Sequence, residues 1–165
     1  MDGRQLERTG FKIFGKIPPA VKTRLVRYAK PSFTVGGMPI VTRPDGALLM
    51  VRHSYEPLWT FPGGLINRRE PIEIAIAREV SEEVGLRVEL LGEPTVDVDH
   101  LTQVVRVLWR ARPARDVDPS SARPLSVEIE EVRWFAAREM PRLASPVQRA
   151  YDALLRAEKW RGGPA

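Results

Sequence analysis

The stretch GLINRREPIEIAIAREVSEEVGL, residues 64–86, contains a loop, a helix and the helix's stop signal. Pro71 to Val84 reads as the helix. Its apolar residues, Ile72, Ile74, Ala75, Ile76, Ala77, Val80 and Val84, cover much of the circumference in the first half, so burial on more than one side is expected. Pro71 suits a first turn, and Gly85 suits the left-handed position that closes a helix. Glu79, Glu82 and Glu83 are expected together at the C-terminal end, on the face that Ile72, Ala75 and Ile76 use earlier. That placement is unfavourable. Like charges four residues apart cost about 0.2–0.5 kcal/mol even when exposed. Carboxylates near a helix C-terminus also oppose the macrodipole, at about 0.3–1 kcal/mol each. Arg78 offsets part of this through Glu82, and a divalent cation would offset far more. From the helix alone, a solvated acidic surface and a cation site are equally open readings. A segment that breaks local rules directs attention to function.

Composition narrows the chemistry. The chain has 165 residues, no cysteine and two histidines, His53 and His100. Disulfides, thiolate zinc sites and a cysteine nucleophile are excluded, and a cytoplasmic setting is expected. A metal would be held mainly by oxygen, which selects Mg²⁺, Mn²⁺ or Ca²⁺. No apolar run approaches the roughly 18–20 residues of a membrane span. The N-terminus lacks the pattern of a signal peptide. Hydrophobic and charged contents of 43% and 28% are those of an ordinary globular domain.

Charge is unevenly placed. Residues 1–31 carry eight Lys/Arg and two acids, which more than accounts for the net charge of +5. This basic extension is expected to contain a short helix from Pro18-Pro19, with Val21, Leu25 and Tyr28 on one stripe and Pro31 ending it. It packs on the main domain or on a second subunit, so a homodimer is one expected state. Its charge suits phosphates, RNA or an anionic membrane surface, or is simply a solvated face. Residues 32–165 form one domain in this reading. Residues 33–41 and 47–51 are expected as a hairpin about the turn Arg43-Pro44-Asp45-Gly46, with Gly36-Gly37 a weak point. Residues 53–67 read as a long loop. Further strands are expected at 87–91, 96–98, 103–111 and 132–135, and an exposed loop at 113–124. A last helix, 147–160, is expected to be opened by Ser145-Pro146. Mixed strands with one internal and one terminal helix indicate an α/β layered domain.

The helix and its approach, Trp59-Thr60-Phe61-Pro62-Gly63-Gly64, resemble the Nudix hydrolase family. Gly64, Glu70, Arg78, Glu79, Val80, Glu82, Glu83, Gly85 and Leu86 match every fixed position of the Nudix box at the family's spacing. Val132-Arg133-Trp134-Phe135 and the last helix are similar to the family's closing strand and helix, a weaker match. The resemblance implies an α/β/α sandwich on a mixed, curved sheet. It also implies hydrolysis of a nucleoside diphosphate linked to another moiety, with Mg²⁺, or Mn²⁺ in its place, as cofactor. By that resemblance Glu79, Glu82, Glu83 and the Gly64 carbonyl are the expected metal ligands. Arg78, Glu79 and Glu82 are the catalytic candidates, with Arg78 orienting the carboxylates by charge-assisted hydrogen bonds. Glu70 braces the loop–helix junction and Gly85 ends the helix. Glu82 is the first choice of general base, with the loop acids Glu128, Glu130 and Glu131 as alternatives. Arg52, Trp59, Phe61 and Gly63 are the candidate substrate contacts, and Arg43, Arg68 and Arg69 are further candidates for phosphate.

Substrate choice is left open. Residues 48–62 do not resemble the coenzyme A marker that precedes the box in one subfamily. The marker motifs of the NADH, ADP-ribose and dinucleoside polyphosphate types are likewise missing after the box. Nucleoside triphosphates and sugar nucleotides remain. Two other classes stand beside this one: an RNA-directed Nudix enzyme or RNA-binding protein using the basic extension, and a non-catalytic Nudix-fold interaction module. Sparse aromatics in the extension (Phe11, Phe14, Tyr28) count against an RNA platform, and the intact Glu trio counts against the module.

Overall fold

A computed structural model describes residues 32–162, together with Pro18, Pro19 and Val21. The chain divides into two units, Met1–Phe33 and Thr34–Ala165. The expected basic N-terminal helix lies almost wholly outside the described residues. Within the second unit the strands are β1 Thr34–Val41, β2 Leu48–His53, β3 Trp59–Thr60, β4 Gly64–Leu65, β5 Val88–Asp99, β6 Val104–Pro113 and β7 Ile129–Phe135. Its helices are α1 Ile72–Val84 and α2 Ser145–Arg161, with short 3₁₀ turns at Pro119–Ser121 and Ala137–Glu139. No described helix is long and apolar enough to cross a membrane.

The strands form a four-stranded sheet, β4-β1-β6-β5, and a three-stranded sheet, β3-β2-β7. β1 runs parallel to β6, from Thr34 opposite Val104 to Val41 opposite Ala111, and every other pairing is antiparallel. Side chains alternate along a strand, and the alternation divides the interior in two. Met38, Ile40, Leu48, Met50 and Leu108 join Ala150, Tyr151 and Leu154 of α2 in one core. Val41, Leu49, Val51 and Ala111 join Val80 and Val84 of α1 in the other. Each helix therefore covers one face, giving a single α/β/α domain. A fully buried Leu or Ile contributes about 1.5–3 kcal/mol, so both layers are held by many equivalent terms.

Several expectations are corrected. Residues 33–51 do not form a hairpin: β1 and β2 lie in different sheets, joined by one bridge, Thr42 to Leu48. The turn itself forms, with Gly46 N–H donating to Arg43 O at 2.9 Å. Two flanking strands that each face a core from both sides have partners elsewhere, and these outcompete the local pairing. The loop 53–67 contains β3 and β4, too short for periodicity to reveal. The strands expected at 87–91 and 96–98 are one strand, β5, interrupted by a register shift between Leu91 and Thr95. Gly92 sits in that bulge at φ +64°, and its carbonyl accepts Trp109 Nε1–H at 2.9 Å. β7 begins three residues before the expected strand. α2 starts at Ser145 itself, with Ala144 as its N-cap and no side-chain capping bond.

Gly37 is the point where α1 lies closest on the sheet. A Cβ there would sit 2.4 Å from Ile76 Cγ1 and 3.2 Å from Ile72 Cδ1. The glycine that weakens β1 by propensity is thus what lets α1 lie down on it. Gly37→Val should cost about 2 kcal/mol or more by overpacking, read as a lower urea midpoint at unchanged m-value. A midpoint equal to the parent's would show that α1 can lift without cost.

Candidate active site

Arg78 is the hub of the site. It projects from the middle of α1 back over the loop that precedes the helix. Its Nε donates to Glu70 Oε1 at 2.8 Å and its Nη2 to Glu70 Oε2 at 2.9 Å, a bidentate pair. Nη2 also donates to Leu65 O at 3.3 Å. Nη1 is shared by Glu79 at 2.7 Å and Glu82 at 3.0 Å. Glu70, then Glu79 and Glu82, push the guanidinium pKa further up. In return Arg78, helped by the Asn67 N–H at 2.9 Å, holds the Glu70 carboxyl down at about 2. One side chain therefore ties β4, the loop and the helix together.

Glu83 is different. It is 8% exposed and accepts the Gly63 N–H at 2.9 Å. Among the described residues no arginine or lysine pairs with it. Burial, and then the charges of Glu79, Glu128 and Glu82, push its pKa up to about 7 against the single opposing Gly63 bond. The two glycines are fixed by contact. Gly63 has φ +139°, and a Cβ there would meet Gly37 O at 2.2 Å. A Cβ on Gly64 would lie 2.5 Å from the Glu79 carboxyl carbon. Gly85 closes α1 in the left-handed region at φ +75°.

A second wall comes from the three-stranded sheet. β2 places Arg52 between Trp59 of β3 and Glu131 of β7. Arg52 donates to Glu130 at 2.7 Å and to Glu131 at 2.6 Å, so its fork is occupied by acids. Trp59 is half-buried, edge-on to Phe135 at 4.9 Å, with Arg133 over its ring. Phe61 is 2% exposed and packs on Tyr151. The expectation that Phe61 offers a stacking face is corrected: the core takes the whole ring. Arg43 pairs with Asp45 and lies over Trp134, and Arg68 and Arg69 remain on the loop before α1. The residue missed in the sequence is Tyr55. It is 70% exposed and stacked on His53 at 5.1 Å. Its hydroxyl pKa is raised, by partial desolvation and then by the charges of Glu128, Glu83 and Glu56. A single aromatic in a Ser-Tyr-Glu-Pro turn was the only signal. The backbone bond from Ser54 N–H to Glu128 O, 2.9 Å, brings that turn beside the loop before β7.

The three carboxylates are not equally placed. Glu82 is on the surface, its side chain 60% exposed, while Glu83 is inside. Among the described residues no three His, Cys, Asp or Glu side chains come together as a metal-binding group. Arg78 holds Glu79 and Glu82. The donor set nevertheless suits a hard cation: it is all oxygen, and Glu83 is a buried carboxylate without a countercharge. An exposed pair such as Arg78–Glu82 is worth about 0.3–0.5 kcal/mol, little hindrance to a rotamer change towards a dication.

Fold and side chains together define an α/β/α domain with its box acids and their arginine gathered at one loop–helix junction. The NUDIX domain family model matches residues 33–156. A MutT-like protein of Streptomyces ambofaciens is 32% identical over 126 residues, 75% of this chain and 79% of the relative. An RNA pyrophosphohydrolase of Caulobacter vibrioides is 32% identical over 141 residues, 72% and 81% of the two chains. A NUDIX hydrolase from Nitrosomonas europaea superposes with a TM-score of 0.65 at 26% identity, covering 82% of this chain and 77% of that one. The chain belongs to the NUDIX family and is a Nudix hydrolase.

The Glu83 pKa has a thermodynamic consequence. Between the usual carboxyl value of 4.5 and about 7 the native state binds more protons than the unfolded chain. Stability therefore falls as pH rises through that window and stays reduced above it. In metal-free buffer Glu83→Gln should abolish that fall. At pH 8 the variant should be the more stable by roughly 1–3 kcal/mol, measured by urea unfolding with chelator present. Parallel pH profiles for both proteins would contradict the assigned burial.

Proposed function

We propose that this protein is a Mg²⁺-dependent pyrophosphohydrolase that cleaves a nucleoside diphosphate linked to another moiety, by attack of water on phosphorus. The observation that carries this is Glu83: a buried carboxylate facing the Gly63–Gly64 turn, with no basic partner among the described residues. Such a group is costly unless a cation joins it. Glu79, Glu82 and Glu83 would hold the metal, with the Gly64 carbonyl as a further ligand. Mg²⁺, or Mn²⁺ in its place, supplies charge neutralisation for the diphosphate and makes the attacking water more acidic. Arg78 orients Glu79 and Glu82, and Glu70 fixes Arg78. Glu82 remains the first choice of base. Of the three acids expected in a loop, Glu130 and Glu131 lie in β7 and are engaged by Arg52, which leaves Glu128, the one whose charge is felt by Glu83, as the alternative. Tyr55 and Trp59 supply rings for a base, and Arg52 and Gly63 line the approach. A cytoplasmic setting belongs to the same reading.

A panel of nucleoside triphosphates, sugar nucleotides and other nucleoside diphosphate derivatives, assayed with Mg²⁺, should yield one class hydrolysed to a nucleoside monophosphate or phosphate. On that substrate Glu82→Gln and Glu83→Gln should each lower kcat by about 10²-fold or more. Full turnover in both variants at saturating Mg²⁺ would remove the assignment. Gly64→Ala should lower kcat through displacement of Glu79. Tyr55→Ala should raise KM with kcat little changed.

A second reading has its own support. The eight basic residues of the extension and the relative named as an RNA pyrophosphohydrolase favour a triphosphate at an RNA 5′ end. Binding of a short 5′-triphosphorylated RNA across a salt series separates the two. The RNA reading expects affinity to fall steeply with salt and to weaken when residues 1–31 are removed. Equal affinity for the RNA and a mononucleotide would decide for the small substrate.

A further inference from the structure

A large cavity lies away from the Nudix box. Its volume is about 950 Å³, within the usual size of small-molecule sites. None of its lining residues belongs to residues 59–86. It opens just beyond the end of β1, where Thr42 N–H donates to Ala111 O at 2.9 Å. Thr42 lies five positions along the chain from Gly37, the partner of Gly64, which places the cavity roughly 16 Å along the strand from the box.

The cavity follows from the bulge in β5. There the ladder between β5 and β6 is broken from Leu91 to Thr95, and Gly92, at φ +64°, turns the strand away from its partner. Leu91 is left 39% exposed on the wall. Val117 and Pro119, both half-buried, complete an apolar lining.

The rim is cationic, and its charges do not cancel. Glu158 is gripped by Arg110 at 2.6 and 2.8 Å. Arg161 also acts on Glu158 electrostatically, but its hydrogen bonds go to the Glu93 and Pro94 carbonyls, at 3.0 and 2.8 Å. Two residues along the same face of β6, Arg112 grips Glu89 at 2.9 and 2.7 Å, with Arg115 as a second nearby cation. Each glutamate thus faces two arginines. Among the described residues no carboxylate forms an ion pair with Arg115 or Arg161. The lining acid left over is Glu93, which is exposed.

We propose that this cavity is a second ligand site, for a small molecule that joins an apolar body to one anionic group. The body fills the space against Leu91, Val117 and Pro119. The anion, a phosphate, carboxylate or sulfonate, meets Arg115 and Arg161 at the rim. Occupancy needs no metal and no residue of the box, so it stands or falls separately from the hydrolytic reading.

The probe is 8-anilinonaphthalene-1-sulfonate, titrated into the ¹⁵N-labelled full-length chain. The Trp109 indole N–H, bonded to Gly92 O, is a built-in reporter. It should shift together with the amides of Leu91, Gly92, Ala111 and Val117 and saturate at one equivalent. The uncharged analogue N-phenyl-1-naphthylamine should bind at least about tenfold more weakly. The double variant Arg115→Gln/Arg161→Gln should also lose about tenfold, Arg161→Lys should retain most of the affinity, and Leu91→Glu should abolish binding with the rest of the spectrum unchanged. Competition by a nucleoside monophosphate and by a short-chain fatty acid identifies which anion source fits. Shifts centred on Gly63, Gly64 and Glu83, no shift at millimolar probe, or equal affinity for the uncharged analogue would overturn the proposal.

Discussion

The structure depends most on one guanidinium. Among the described residues Arg78 alone bonds at once to Glu70 of the loop, to the β4 carbonyl of Leu65 and to the helix carboxylates Glu79 and Glu82. Its bidentate bond to Glu70 spans the loop between Leu65 and α1, so the direction in which the chain enters the helix is set by a charge pair rather than by a cap. Pro71, the N-cap, makes no side-chain capping bond. The same guanidinium makes the acidic end of α1 tolerable, absorbing two of the three charges that would otherwise repel one another. The third, Glu83, is left to the interior. The site's electrostatics are those of a cluster compensated at its surface and uncompensated at its centre.

The sheet supplies the second half of that arrangement. β1 carries two glycines where α1 and the Gly63–Gly64 turn come closest. Gly37 makes room for Ile76 on one side, and its carbonyl lies where a Cβ on Gly63 would have to go. Backbone is packed against backbone beside the place where the metal is proposed to sit. Few side chains are available there to substitute for one another, which is why single methyl groups at Gly37, Gly63 or Gly64 have large consequences while the two apolar cores have many equivalent contributors.

Much of this was legible in the residues. The helix, its left-handed stop at Gly85 and the late helix follow from local pattern and spacing. The α/β/α layering and the bracing role of Glu70 followed from the resemblance, and only the structure shows Arg78 as the partner of Glu70. What local reading could not supply was competition between distant partners. The turn at Arg43–Gly46 was visible, yet β1 and β2 part company because β6 and β7, far along the chain, pair with them instead. Equal helical spacing placed Glu82 and Glu83 together, whereas the exact tilt of α1 on the sheet buries one and exposes the other. Phe61 and Tyr55 show the same limit. Both are aromatic residues in an unpatterned stretch, and only tertiary packing decides which ring fills the core and which faces solvent.

The parallel alignment of β1 with β6 bears on how the molecule comes into being. β1 borders the box turn on one side and β6 on the other, yet β6 is made some 60 residues after β1 ends. As the chain leaves the ribosome, the Nudix helix emerges with only a lone ribbon to lie on. Long-range pairings of this kind form slowly, because loop-closure entropy is spent before the contacts repay it. The sheet beneath the Nudix helix is therefore incomplete until β6 has been made, and α2, the last described element, covers the opposite layer after it.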